Sequence, residues 1–378
     1  MPPSVVIVGG GLMGLSTAWQ VRRADPGVRV TVLERERVGA AASGASAAGV
    51  RVMGRDPAER ALALASVGRW PDLDGELEGD TGYRRGGGLR VALDETAWRE
   101  APTWAAGQRA DGVPVEVLDA TAALRLAPGL SPAAWGGVFC AMDGQAEAMP
   151  TVQAFARAAR RLGARLEEGV SADRVVIEHG RVAAVSRAGG ALLPCDVAIV
   201  AAGCWTASLL APLGVRLPLE TRALQMLLTE AAPAALDPVV GAFGCRLSLK
   251  QLATGSYLIG GGWPADIVDH AGNAWKLRDE DVRASLAVAR EVHPPTGRCV
   301  LARGWAGLEA FTPDELPVLG PVPGLEGLLV AAGFSGHGFA LAPAAGDVLA
   351  RLALSQPARP ELWGGLRLER FDRTSVTR

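Results

Sequence analysis

Lysine is nearly missing from this chain of 378 residues: only Lys250 and Lys276 occur, and arginine carries almost all of the positive charge. Acids balance that arginine to a formal net charge of -2, so nothing electrostatic draws the chain to nucleic acid or to an acidic membrane. The richness in Ala, Gly and Arg is a bias of base composition before it is anything functional. Cysteine is sparse too. Cys140, Cys195, Cys204, Cys245 and Cys299 are widely spaced and none forms a C-x-x-C pair, which argues against a zinc ribbon or a dithiol redox centre. An odd number of scattered thiols fits reduced cysteines in the cytosol. No apolar run approaches the roughly 18 residues of a membrane helix. Residues 5–15 are apolar, but they lack a basic leader and include Gly9, Gly10 and Gly11, so they do not read as a secretory signal. No metal-ligand spacing is present. The expectation is a cytoplasmic protein with no nucleic-acid partner, no transmembrane segment and no metal.

What remains is a globular composition, 49% hydrophobic and 21% charged, long enough for two domains or one large α/β domain. Residues 4–8, SVVIV, suit a strand buried on both faces. Gly9-x-Gly11-x-x-Gly14 follows at once. In this spacing Gly9 permits the tight turn, Gly11 lets the backbone approach a pyrophosphate, and Gly14 lets the helix pack on the strand. Leu12 and Met13 open that helix, whose free N–H groups and dipole favour a diphosphate. It runs to about Ala24 and stops before Asp25-Pro26-Gly27. Residues 28–33, VRVTVL, read as the second strand, and Glu34 ends it. An acid there hydrogen-bonds ribose hydroxyls and repels a 2′-phosphate, so NADP is not expected at this site. Strand, glycine turn, helix, second strand and terminal acid together specify a dinucleotide site. They do not separate FAD from NAD.

Three further segments bear on that choice. Residues 34–51, ERERVGAAASGASAAGVR, form a small-residue loop along which a backbone can pass close to a bulky ligand. Residues 197–205, VAIVAAGCW, read as a strand with a sharp small-residue end. Residues 305–349 contain WAGLEAFTPDELPVLG and GLLVAAGFSGHGFALAPAAGDVL. In the latter, residues 327–332 read as a strand and 333–338 as a glycine-rich loop. A helix is expected to begin near Ala342, with Pro343 in its first turn. These motifs resemble the D-amino-acid oxidase superfamily of FAD-dependent oxidoreductases, which includes sarcosine and glycine oxidases. The resemblance extends over residues 1–360 and is weakest over 75–135 and 230–300. It implies that Arg35, Ser43, Gly44, Ala48, Gly49 and Val50 lie along the flavin, and that the Val175 backbone meets the adenine. It further places Ala202, Gly203 and Trp205 under the cofactor and Gly333, Phe334, Ser335, Gly336, His337, Gly338 and Phe339 around the flavin ring. The C-terminal helix would then aim its positive dipole end at the flavin pyrimidine.

Cofactor segments at the start, middle and end make the FAD-binding domain discontinuous. The expected fold class is α/β (α+β): a Rossmann-type FAD domain over 1–72, 142–216 and 303–370, and a mixed-sheet substrate domain over 73–141 and 217–302. Residues 149–162 pattern as an amphipathic helix, and 164–185 as strands turning at Glu178-His179-Gly180. Strand-like patterns at 224–230, 246–252 and 255–263 dominate the second insertion.

The resemblance implies oxidation of a carbon–nitrogen bond in an amino acid or secondary amine of the sarcosine, proline or D-amino-acid kind, by hydride transfer to flavin N5. A neutral nitrogen and a well-placed C–H bond suffice, so no strong side-chain base is compulsory. His337 is a flavin-contact or proton-transfer candidate; His179, His270 and His293 read as turn or surface residues. Two departures stand out. Where glycine oxidases carry an arginine for the substrate carboxylate, this chain has Glu309, and where sarcosine oxidases carry a lysine after GFSGHGF, it has Ala340. Arg51, Arg222, Arg246 and Lys250 are the candidates to hold a carboxylate instead, while Glu309 would suit a cationic amine or guanidinium, or else be a solvated or arginine-paired surface acid. Lys276 reads as part of a solvated helix start, leaving Lys250 as the lysine able to reach the site, and this scarcity tilts the reading from oxidase to dehydrogenase. Gly307 stands where relatives attach flavin to a cysteine, so FAD is expected to be noncovalent. Two other readings stay open. One is a flavin-bearing β subunit, inactive without α or small electron-transfer subunits. The other is an NADPH-dependent monooxygenase, for which a second nucleotide fingerprint is missing.

Overall fold

The computed structural model describes residues 3–375. At its centre lies a six-stranded sheet, in the order Val318–Pro321, Leu328–Ala332, Val197–Val200, Ser4–Val8, Arg29–Glu34, Arg165–Glu168. All neighbours run parallel except the first pair. The Ser4–Val8 strand is wholly buried because it is sandwiched. Val5 and Ile7 point into a helical layer, and Val6 and Val8 into a layer containing the small sheet Ala172–Glu178, Arg181–Arg187, Leu192–Pro194. The turn of that small sheet falls at His179 and Gly180, whose φ values of +51° and +78° are those a tight hairpin requires.

The helical layer is Leu12–Ala24, Pro57–Val67, Ala148–Arg161 and Gly338–Ala353. The first and last of these touch closely at Ser16 and Gly346. Ser16 Oγ donates to Ala342 O at 2.9 Å, and a Cβ at 346 would lie 2.2 Å from that Oγ. The last helix differs from expectation: it begins at Gly338, so Pro343 lies inside it rather than in its first turn. A proline there disrupts the helical ladder, and neighbouring side chains stabilise the break. Ser66 Oγ donates to Ala340 O at 2.8 Å and accepts from Ala344 N at 3.2 Å, and Trp70 Nε1 donates to the same Ala340 O at 3.1 Å. The helix therefore continues through a residue that sequence alone reads as a start.

The two insertions meet in one ten-stranded mixed sheet, joined where Val239–Ala242 pairs in parallel with Gly88–Ala92. Leu301–Phe311 belongs to this sheet, antiparallel to Glu220–Ala231, so the chain returns to the central sheet after Phe311 and not at 303. Leu89, Val91, Leu249 and Ile259 face a core that includes Ala289 and Val292 of the helix Asp279–Val292. By alternation Arg90 and Lys250 stand on the opposite face. Lys276 lies in the strand Ala274–Leu277, before the Asp279–Val292 helix and not at its start. Among the described residues no helix is long and apolar enough to cross a membrane.

Candidate active site

A cavity of about 350 Å³ opens where the parallel strands end, the position at which open α/β sheets take ligands. Gly9 leaves the first strand at φ +113°, and a Cβ there would lie 2.4 Å from Ala201 O. A Cβ on Gly14 would lie 2.0 Å from Gly9 O, so this glycine presses the helix onto the strand beneath the cavity, outside its lining. Gly11 is the helix N-cap and makes no side-chain cap bond; Leu12 N donates to Ser43 Oγ at 3.0 Å, and Met13 lines the wall. Glu34 Oε2 accepts from Gly10 N at 2.7 Å and Oε1 from Glu36 N at 2.8 Å. A carboxylate has about four acceptor positions, so Glu34 keeps capacity for ligand hydroxyls.

Ala202 and Gly203 continue this wall, and Gly203 has φ +55° with open space where a Cβ would stand. Arg35 stacks over Trp205 at 3.7 Å. Both reach the substrate-side hairpin: Arg35 Nη1 donates to Ala271 O at 2.7 Å and Trp205 Nε1 to His270 O at 3.0 Å. Val175 lies elsewhere. It is buried in the core of the small sheet, and Ser171 and Ala172 take the cavity edge. Gly44, Ala48, Gly49 and Val50 also stand behind the lining. A Cβ on Gly44 would lie 2.2 Å from Gly39 O, Ala48 has φ +52°, and Gly49–Val50 pairs with Gly144–Gln145. These residues shape the 34–51 loop from behind.

At the other end Gly333, Phe334, Ser335, Gly336, Gly338 and Phe339 line the cavity. Three left-handed residues in four, Gly333, Ser335 and Gly336, fold the chain back beneath the helix N-terminus at Gly338, which carries no side-chain cap. Phe339 stacks on Trp70 at 5.3 Å, which orders this first turn. Glu309 is part-buried and lines the same end, with burial pushing its carboxyl up to about 7. His337 Nδ1 lies 2.8 Å from Oε1 of the fully buried Glu59, and burial followed by Arg55 holds its imidazole below the ordinary value.

The remaining candidates separate clearly. Arg51 is part-exposed and bears electrostatically on His337. Arg222 is tied to Glu220 and Glu315 away from the cavity, and Arg246 is exposed. Lys250 is buried outside the lining: its Nζ donates to Ala146 O at 2.6 Å, and burial pushes it down to about 7. It therefore tethers the segment just after Gly144–Gln145, which pairs with Gly49–Val50. His293 is buried against Pro128 and is not a surface residue. Sequence reading missed Glu59, which sits one helical turn from Arg55, and Arg90, which has no linear signal.

These residues fit FAD. Two helix N-termini whose N-cap residues supply no side-chain cap, a strand-end acid with spare acceptor capacity and open space at Gly203 surround one cavity. No cysteine, histidine or tyrosine lines it among the described residues.

Comparison with known proteins agrees. The family described as FAD dependent oxidoreductase (DAO) matches residues 4–352. Glycine oxidase of Pseudomonas putida is 32% identical over 352 residues, covering 91% of this chain and 92% of the relative. Sarcosine oxidase subunit beta of Rhodobacter capsulatus is 26% identical over 92% of this chain and 84% of its own length. Among solved structures, L-proline dehydrogenase from P. horikoshii superposes with a TM-score of 0.89 at 25% identity, covering 98% of both chains. The chain thus belongs to the DAO family of FAD-dependent oxidoreductases, with FAD as its cofactor and CH–NH or CH–NH2 oxidation as its class of reaction.

Proposed function

We propose that this enzyme oxidises the carbon–nitrogen bond of an amino acid or secondary amine of the sarcosine, proline or D-amino-acid kind, with FAD held noncovalently. The observation that carries the reading is Glu309. Its carboxyl accepts from the Gly336 backbone, has no ion-pair partner among the described residues, and faces the cavity at the end where the glycine loop meets the helix N-terminus. Bound FAD supplies a hydride acceptor at N5. Glu309 receives the substrate nitrogen, and with its carboxyl near 7 it takes a proton from an ammonium group close to neutral pH. His337 stays neutral and is oriented by Glu59. Lys250 supports the loop from behind and does not reach the cavity, which favours an electron acceptor other than oxygen. A cytoplasmic location goes with this reading.

The similarity to sarcosine oxidase beta subunits, with Ile267 38%, Val268 64% and Val300 62% exposed, supports a second reading as a flavin-bearing subunit of a larger complex. Anaerobic mixing with sarcosine, glycine, both prolines, D-amino acids and guanidino opines separates the two. Bleaching of the visible flavin band by one class supports the first, and admitting air then distinguishes oxidase from dehydrogenase. A yellow protein that none of them bleaches overturns it.

A further inference from the structure

Two walls of the cofactor cavity touch each other. Arg35 follows the strand on one side of Ser4–Val8, Trp205 follows the strand on its other side, and both line the cavity. The Arg35 guanidinium lies 3.7 Å over the Trp205 ring, so the pair bridges the crevice between the two strand ends. A stack of this kind is weak by itself, and both members have polar edges that need partners.

A hairpin at the end of the ten-stranded sheet, Pro264–Asp269 and Ala274–Leu277, supplies those partners. Its tip, residues 270–273, stands outside the cavity lining and takes both members of the stack at once. Ala271 O accepts from Arg35 Nη1 at 2.7 Å, and His270 O accepts from Trp205 Nε1 at 3.0 Å. Asn273 Nδ2 donates to Ala40 O, on the Arg35 wall of the cavity, at 3.3 Å. The tip is also tied to its own sheet, since His270 Nε2 lies 3.0 Å from Thr221 Oγ1 on the Glu220–Ala231 strand.

The hairpin has a narrow base. Among the described residues it joins the Glu220–Ala231 strand through Ala265–Ala223 and Pro264–Leu224. Asp266 to Asp269 are exposed, while Trp275 is part-buried against the small core around Ala223 and Leu308. Exposed backbone with few buried contacts opens readily, and a few residues at the end of an element can act as a hinge. The hydrogen bonds of the tip exchange with water on opening, so each one resists only modestly.

We propose that the 264–277 hairpin latches the Arg35–Trp205 bridge across the cofactor cavity, so that FAD enters and leaves only when the tip lifts. The latch concerns the cofactor alone and holds whichever amine is oxidised.

FAD exchange tests it. Holoenzyme carrying labelled FAD is chased with unlabelled FAD to measure release, and apoprotein is mixed with FAD and followed by flavin fluorescence to measure uptake. Replacing residues 270–273 by Asn-Gly, a two-residue type I′ turn, removes the tip contacts and keeps both strands. A latch is a barrier common to both directions. This variant is therefore expected to release and to take up FAD about tenfold faster or more, with Kd moving by no more than about threefold. Asn273→Ala, which loses the bond to Ala40, falls between it and the wild type in both rates. Arg278→Met, which breaks the pairs with Asp266 and Asp281 away from the tip, exchanges FAD as the wild type does. Melting curves identify a shortened tip that has not folded, and Asn273→Ala then stands in for it. Release at the wild-type rate from the tip variants overturns the latch. So does faster release with unchanged uptake and a Kd raised by the same factor, the signature of a tip that merely supports bound FAD.

Discussion

The cofactor crevice and the sheet face beside it treat polar groups in opposite ways. In the crevice the geometry is mostly backbone: glycines at 9, 11 and 203 set the walls, Gly14 seats the helix beneath them, and Glu34 is held by Gly10 N and Glu36 N with acceptor capacity to spare. On the sheet side Glu309 and Arg90 have no ion-pair partner among the described residues, and Arg90 Nε is buried without a hydrogen bond. A fixed cofactor is recognised by a surface whose shape the backbone sets before it arrives. A substrate that comes and goes is recognised by groups left incomplete.

Substitutions can break this contrast, beginning with the crevice. Gly14→Val forces atoms where a Cβ already lies 2.0 Å from Gly9 O, so the purified protein should be colourless, with flavin content below about a tenth of the wild type. Glu34→Gln removes the charge from two backbone bonds and should weaken FAD about tenfold or more in a fluorescence titration. If Glu34→Gln binds FAD as well as the wild type, the crevice does not depend on its acid. Ser66→Ala leaves Ala344 N without its acceptor and should cost about 1–3 kcal/mol in denaturant unfolding.

The smallest effects are the pH slopes of the buried charges, and their signs differ. The Lys250 ammonium is pushed down to about 7 in the folded chain. Between that pH and its ordinary value the unfolded chain holds the proton that the folded chain has lost, so stability rises with pH across this window. Lys250→Met should flatten the rise in melting temperature from pH 7 upward. The Glu309 carboxyl is pushed up to about 7. Its contribution is complete below the ordinary carboxyl range and is lost as pH rises through about 7. Glu309→Gln should therefore gain on the wild-type apoprotein above pH 7 and not in acid. Slopes of the same sign in both variants would remove the distinction between these two groups.

Much of the cofactor site was legible because its determinants are local. Gly9-x-Gly11-x-x-Gly14 and Glu34 sit within one βαβ unit, and the 333–339 loop directly precedes the helix it serves. The substrate side was not, because its groups come from distant strands. Lys250 looked able to reach the site, yet strand alternation and Ala146 hold it behind the flavin loop. Val175 looked like a ligand contact, yet its side chain belongs to the core under the small sheet. Pro343 looked like a helix start, yet Ser66 and Trp70, remote in sequence, carry the helix past it.

By itself the sequence determined the dinucleotide crevice, the discontinuous order of its segments and the absence of arginine at position 309, since each depends on backbone freedom or identity at contiguous positions. Only the tertiary structure decided which charges remain unpaired. Pairing depends on distance, and the ten-stranded sheet is what sets Arg90 against Phe243 and Trp104 while placing Arg222 beside Glu220 and Glu315.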